Sequence, residues 1–337
     1  MGGLIDLSVG TPVDPTPQII QRSLRESSNA PGYPLTVGTP QLRASIREWA
    51  IKRLGAKGDF EVLPLIGSKE LVAWLPTFLH SKNVLFPEIA YPTYSVGAIL
   101  ASAEGTPVAI DPSNWPDADL VWINSPSNPT GRVHSVNELE TVIAWGRANN
   151  TVIASDECYL DFGHGSKPTS ILMHANGDNK NLLAVHSLSK RSSMAGYRAG
   201  FLVGDPDLIS RIREIRKHAG MIVPLPIQNA MVAALSDELH VAKQRELYNS
   251  RRERLKPALE RVGFRIEETR AGLYIWCTRD EEDWNSVAWL AELGILVTPG
   301  HFYGAKGARN IRIALTATDG HIDEAISRLN ASFEIAK

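Results

Sequence analysis

From about residue 60 to residue 235 the chain alternates short β-rich apolar runs with helical patterns, and this constrains the fold more than any other feature. Such alternation marks βαβ units and so a mostly parallel sheet between helices. Strands are expected at 62–65, 84–86, 107–110, 120–124, 151–155, 182–187 and 199–203. Several, such as LVWI and TVIA, are continuous apolar runs, as strands buried on both faces require. A chain of 337 residues is longer than one ordinary domain. After about residue 236 its character changes to a charged helical stretch ending at 262. Strand-like FRIEE, GLYIWC and IRIAL follow, with helical patterns near 283–293 and 319–333. The expected architecture is therefore α/β, with a large domain over 36–235. The smaller α+β domain combines 236–337 with an irregular, Pro- and Gly-rich lead-in, 1–35. Residues 39–54 read as a helix, with Thr39 as N-cap and Pro40 at its first position.

Charge narrows the partners. Lys and Arg total 35 against 37 Asp and Glu, a net charge of -2, which gives no overall attraction to a nucleic-acid backbone or an anionic membrane. The basic runs RIREIRK (211–217) and RRERLK (251–256) contain acids at helical spacing and read as solvated helix faces. Cys158 and Cys277 are the two cysteines, too few for a disulfide framework or a metal site, and no metal is expected. The N-terminus MGGLIDLSVGTP lacks a basic segment followed by an apolar run, and no apolar stretch reaches the ~18 residues of a span. A cytoplasmic location is expected.

In open α/β sheets, ligands bind beyond the carboxyl ends of the strands. There VWIN runs into Ser125-Pro126-Ser127-Asn128-Pro129-Thr130-Gly131, VIAS into Asp156-Glu157-Cys158-Tyr159, and LLAVHS into Leu188-Ser189-Lys190. The trio Asn128, Asp156 and Lys190 suits a pyridine-aldehyde cofactor: a lysine bonds to the aldehyde while a carboxylate keeps the ring nitrogen protonated. Gly67-Ser68-Lys69-Glu70 follows a strand and opens an apolar helix, which offers free backbone N–H groups to a phosphate. Ser187, Ser189 and Arg198 add donors. Taken singly these residues carry little: a lysine after a strand is usually solvated, Asp156 can be a helix N-cap, and SNPTG can be a turn. Tyr91 and Tyr94 can be packing aromatics, and Cys158, His186 and His301 read as structural. Competing G-x-G-x-x-G, G-x-x-x-x-G-K-[ST], H-E-x-x-H and G-x-S-x-G motifs do not occur in the required contexts.

Taken together, SNPTG (127–131), DECY (156–159) and SLSK followed by GYRAG (187–200) make the chain resemble the fold-type I, class I/II aminotransferases, which depend on pyridoxal 5′-phosphate. The likeness extends from Gly10 of LSVGTP to Arg312 of IRIAL. It implies that Lys190 holds the cofactor covalently and acts as the general base. Asp156 pairs with the pyridine nitrogen, and Tyr159 and Asn128 hydrogen-bond the ring's 3-oxygen. Tyr91 stacks on the ring. Ser68, Lys69 through its backbone, Ser187 and Arg198 hold the phosphate, and Tyr33 reaches the phosphate of the other subunit of a homodimer. Arg312 clamps the substrate α-carboxylate, assisted by Asn128 and the backbone of Gly10.

LPLIGSKELVAWLPTFL, FPEIAYPTYSVGA and PGYPLTVGTPQLRASIREWA are most similar to succinyldiaminopimelate transaminases of actinobacterial lysine and diaminopimelate biosynthesis. That resemblance implies L-glutamate as donor and N-succinyl-2-amino-6-ketopimelate as acceptor. Arg22, Arg25 and Lys306 are candidates for the distal anionic groups. The alternatives are an aspartate, alanine or aromatic aminotransferase, a C–S β-lyase on the same fold, and a non-catalytic effector-binding domain.

Overall fold

The apolar runs form the strands of one large sheet. In the computed structural model, which describes residues 3–335, a short β1 (Ile5–Asp6) precedes β2 (Glu61–Ile66), β3 (Asn83–Pro87), β4 (Glu104–Val108), β5 (Leu120–Asn124), β6 (Val152–Asp156), β7 (Leu182–Ser187) and β8 (Ala199–Gly204). The last seven pair in the order β2-β8-β7-β6-β5-β3-β4. All pairings are parallel except the two made by β8. Alternate residues serve two cores. Val121, Ile123 and Ile153 face helices Pro40–Trp49, Val136–Asn149 and Leu225–Leu235. Leu120, Trp122 and Ala154 face helices Ser68–Phe78, Thr93–Leu100 and Pro206–His218. Burial on both faces is why these strands read as unbroken apolar runs.

β4 starts three residues and ends two residues earlier than the PVAI run suggests. It is an edge strand, largely exposed, and its position follows from parallel pairing with β3, Asn83 opposite Glu104 through Pro87 opposite Val108. Its Pro107 is tolerated there because an edge strand need not donate on both sides. The helix capped by Thr39, whose Oγ accepts from the Leu42 N–H at 3.1 Å, is α-helical to Trp49. It continues as a π-turn over Ala50–Leu54 and stops at Gly55, whose φ of 65° suits glycine.

The lead-in is less irregular than its composition suggests. Helix Gln18–Glu26 occupies part of it, preceded by Pro17 without a side-chain cap. Ile20 is buried and Leu24 packs beside it, so the helix does carry an apolar face, but over only nine residues within a Pro- and Gly-rich stretch. Ile20 joins the large-sheet core, while Ile5 and Leu7 join the core of the C-terminal part.

That part contains helix Leu239–Arg261, β9 (Arg265–Glu267), β10 (Tyr274–Thr278), helix Asp283–Glu292, β11 (Ile295–Leu296), β12 (Thr298–Pro299), β13 (Ile311–Ala314) and helix Asp319–Ile335. An antiparallel sheet runs β12-β13-β10-β9, and β1 pairs with β11 in parallel. The basic runs are not wholly solvated: Arg216, Arg251 and Arg252 are buried. A buried guanidinium persists where its donors are satisfied. Arg216 pairs with Glu70, and Arg251 bonds Asp14 at 2.7 and 2.9 Å, tying the lead-in to the long helix. Arg252 donates to the Gly272 carbonyl and Asn249. Among the described residues no helix is long and apolar enough to cross a membrane.

Candidate active site

Neighbouring strands β5, β6 and β7 end at Asn124, Asp156 and Ser187. Beyond these ends a cavity of about 910 Å³ opens between the large sheet and the C-terminal sheet. Gly10, Ser68, Lys69, Tyr91, Asn128, Asp156, Tyr159, Ser187, Lys190, Arg198 and Arg312 all line it, with Cys158 and Ser189. Tyr33 does not; its side chain is fully exposed. Arg22 and Arg25 are not among the lining residues, and Lys306 lines a smaller adjoining cavity of about 310 Å³.

The floor is held by hydrogen bonds from the strand ends. Asn124 Nδ2 donates to the backbone carbonyls of Pro126 and Asp156 at 3.1 and 2.9 Å, and its Oδ1 accepts from the Asn128 N–H at 2.7 Å. Two protein donors hold the Asp156 carboxylate, Tyr94 Oη at 2.9 Å and the Cys158 N–H at 3.2 Å. Burial pushes the Asp156 carboxyl up, and the Cys158 thiol, the Tyr94 hydroxyl and the Cys158 N–H act against the rise. Burial also raises the hydroxyls of Tyr94 and Tyr159 and the Cys158 thiol, each helped by its charged or polar neighbours. Lys190 sits on the short helix Leu188–Arg191, whose N-cap Ser187 accepts from the Ser189 N–H at 3.1 Å. The next residue, Arg191, is buried against Asp161 and Glu238, at 2.9 and 2.8 Å, which pins the turn. Burial holds the Lys190 ammonium below the ordinary lysine value, and Arg312 and Arg198 act in the same direction. A neutral lysine amine in a cavity is both nucleophile and base.

At the start of helix Ser68–Phe78 the N-cap is Gly67, with φ 72° and no side-chain cap. A Cβ there would overlap the Arg198 guanidinium. The missing side chain leaves a cradle of helix N–H groups, the Ser68 hydroxyl and a guanidinium, suited to an anion. Cys158 Sγ donates to Ser68 Oγ at 3.2 Å.

The opposite wall is Arg312, in β13. Its Nη1 donates to Asn128 Oδ1 at 3.0 Å and its Nη2 to the Ser8 carbonyl at 2.6 Å, while its buried Nε has no hydrogen-bond partner among the described residues. The guanidinium carbon lies 4.0 Å from the Tyr274 ring centroid and 5.1 Å from that of Tyr303. Tyr274 Oη is 3.3 Å from Tyr159 Oη, and a Cβ on Gly10 would overlap that same hydroxyl, so only glycine lets the backbone pass here. The two histidines near the site have structural partners: His186 lies 3.3 Å from Glu157, and His301 Nδ1 lies 2.7 Å from Asp283.

Tyr94, read from sequence as a packing aromatic, stacks on Trp122 and also donates to Asp156. Tyr274 belongs to no motif of the sequence. Its only signal was the strand-like GLYIWC, and its place beside Arg312 depends on the pairing of β10 with β13.

The family model for aminotransferase class I and II matches residues 3–329. The chain belongs to this family. The aminotransferase is 50% identical to the 4-dedimethylamino-4-oxo-anhydrotetracycline transaminase OxyQ of Streptomyces rimosus, over 97% of this chain and 93% of that one. It is 51% identical to the probable aminotransferase Rv1178 of Mycobacterium tuberculosis, covering 97% of this chain and 80% of that one. Among solved structures, a probable N-succinyldiaminopimelate aminotransferase from Thermus thermophilus superposes with a TM-score of 0.89 at 27% identity, covering 98% of this chain and 95% of that one. The family depends on pyridoxal phosphate and acts on amino and keto acids. The anion cradle at Gly67, the buried carboxylate of Asp156 and Lys190, whose ammonium burial disfavours, fit that cofactor's phosphate, ring nitrogen and aldehyde.

Proposed function

We propose that the enzyme moves an amino group from L-glutamate to a keto acid, with Lys190 as the residue that holds the cofactor covalently and then carries the α-proton. Bound pyridoxal phosphate supplies the electron sink. Asp156 keeps the ring nitrogen protonated, and Tyr159 and Asn128 hydrogen-bond the ring's 3-oxygen. Tyr91 lies on the ring face, and Ser68, the Lys69 backbone, Ser187 and Arg198 hold the phosphate. Arg312 grips the α-carboxylate as a two-pronged donor, with Asn128 and the Gly10 backbone beside it. The observation that carries this reading is the convergence of Lys190, Asp156 and Arg312 on one cavity, with burial favouring the neutral lysine amine. A homodimer completes the site when Tyr33 of one subunit reaches the phosphate of the other. The full exposure of Tyr33 supports that role. The large domain spans 36–235, the small domain 1–35 with 236–337, and the enzyme works in the cytoplasm.

The acceptor in this reading is N-succinyl-2-amino-6-ketopimelate of diaminopimelate and lysine biosynthesis. Support comes from the Thermus thermophilus neighbour and from Lys69, a cavity cation that makes no ion pair among the described residues and lies 5.5 Å from the Tyr91 ring centroid. The test is an absorbance titration of the purified holoenzyme with L-glutamate. Conversion to the aminated cofactor, reversed by the succinylated keto acid, is the expected result. Release of ammonia with no stored amino group would indicate the lyase instead.

A further inference from the structure

Five charged residues line the cavity, namely Lys69, Asp156, Lys190, Arg198 and Arg312, and all except Arg312 come from the large-sheet side. Past Arg312 the C-terminal wall is uncharged, built of Trp284, Val287, Leu296, Val297, Phe302 and Tyr303 with strand β12. Tyr303 lies under the Arg312 guanidinium, and its chain neighbour Phe302 continues the wall outward. Trp284 is 54% exposed and Phe302 52% exposed, so these large rings stand in solvent on a concave surface instead of packing into the core. A single exposed aromatic is ordinary, whereas a cluster in a ligand cavity has a use.

The cluster is also fixed in place. Trp284, His301 and Phe302 form a trio with ring centroids 4.8, 5.6 and 6.3 Å apart; two of its contacts are edge-to-face and the Trp284–His301 contact is tilted. Asp283 is buried and accepts from the His301 backbone N–H at 2.8 Å as well as lying 2.7 Å from its Nδ1. The Asp283 N–H in turn donates to the Ala308 carbonyl at 2.9 Å. A buried carboxylate that orients a histidine between two half-exposed rings makes a rigid stacking platform.

We propose that Trp284 and Phe302 are the specificity wall of the enzyme, and that they select an acceptor carrying a planar π face beyond its α-carboxylate, an aromatic ring or an amide plane. Asp283 and His301 are positioning residues for that wall. The inference rests on the transamination reading, because Arg312 must hold the carboxylate end for the far end to meet Trp284. Stacking favours such a face, and a short aliphatic acceptor has none to offer.

The test compares Trp284→Ala, Phe302→Ala and Trp284→Phe with the wild-type holoenzyme on phenylpyruvate, N-succinyl-2-amino-6-ketopimelate and pyruvate. In Trp284→Ala, the ratio of kcat/KM for the preferred planar acceptor to that for pyruvate should fall about tenfold, mainly through KM, and Trp284→Phe should recover most of it. A fall confined to phenylpyruvate identifies a ring, and one confined to the succinylated acid an amide. An unchanged ratio in both alanine variants, or a wild type that prefers pyruvate, overturns the proposal. Calorimetric titration of the holoenzyme with unreactive 3-phenylpropanoate, N-acetyl-β-alanine and propanoate reads the wall without turnover. At least one planar ligand should bind more tightly than propanoate in the wild type, and that margin should shrink in Trp284→Ala. If glutamate fails to convert the wild-type cofactor, the transamination reading fails separately, and the titration still judges the wall.

Discussion

On the large-sheet side of the cavity, most of the candidate side chains follow the carboxyl ends of buried strands or start the helices after them, whereas Arg198 precedes β8, and Asn124 ties the Asn128 segment to the end of β6. On the opposite side Arg312 sits within a short antiparallel strand, flanked by tyrosine rings and, farther out, by half-exposed Trp284 and Phe302. The first side is close-packed and gathers four of the five charged residues of the cavity; on the second, exchange of Trp284 or Phe302 would disturb little of the core. In the proposed reading, chemistry resides where the backbone leaves no freedom, and selection where side chains can vary without unfolding the protein.

The predictions test that division. We predict that Lys190→Ala folds but loses turnover by at least about 10⁴-fold, since it removes both the covalent anchor and the base. Mass spectrometry after borohydride reduction should find no cofactor attached, and an attached cofactor would refute the assignment. Arg312→Lys is expected to raise KM for glutamate by roughly tenfold to a hundredfold with a smaller change in kcat, because an ammonium cannot reproduce the planar fork. An unaltered KM would remove Arg312 from the carboxylate.

Tyr94→Phe should have a subtler effect. It takes one of two donors from the Asp156 carboxylate, so its pKa rises further and the acid limb of the kcat profile should move to higher pH. The limb would stay in place if Tyr94 only packs. The smallest effect concerns Lys190 in the cofactor-free protein. Burial lowers its folded pKa, so unfolding takes up a proton between that value and the ordinary one near ~10.4. Stability should therefore increase with pH across that window, and Lys190→Met should abolish the increase in melting temperature; a parallel curve would refute it.

The legible parts of the sequence were those with a local cause. β5 and β7 fall on the expected residues because a strand buried on both faces must be continuously apolar, and Thr39-Pro40 starts a helix through a cap two residues long. Lys190, Asp156 and Asn128 stood out because their motifs come at strand ends in a required order, Arg312 because IRIAL extends the same family likeness, and each of them lines the cavity. Two-residue strands β11 and β12 are too short to leave a pattern, and the apolar face of helix Gln18–Glu26 is brief and set among prolines and glycines. The buried arginines of the basic runs were illegible because their partners Glu70, Asp14 and Asp319 are distant in the chain.

By itself the sequence determined the alternation that makes a mostly parallel sheet, and the residues that end its strands, since periodicity and strand-end chemistry are local properties. Only the tertiary structure decided that Tyr94 meets Asp156, that Tyr274 underlies Arg312, and that Trp284, His301 and Phe302 gather on one wall. Those contacts depend on strand register and on the approach of the two sheets, which are set by the packing of the whole chain and by no segment of it alone.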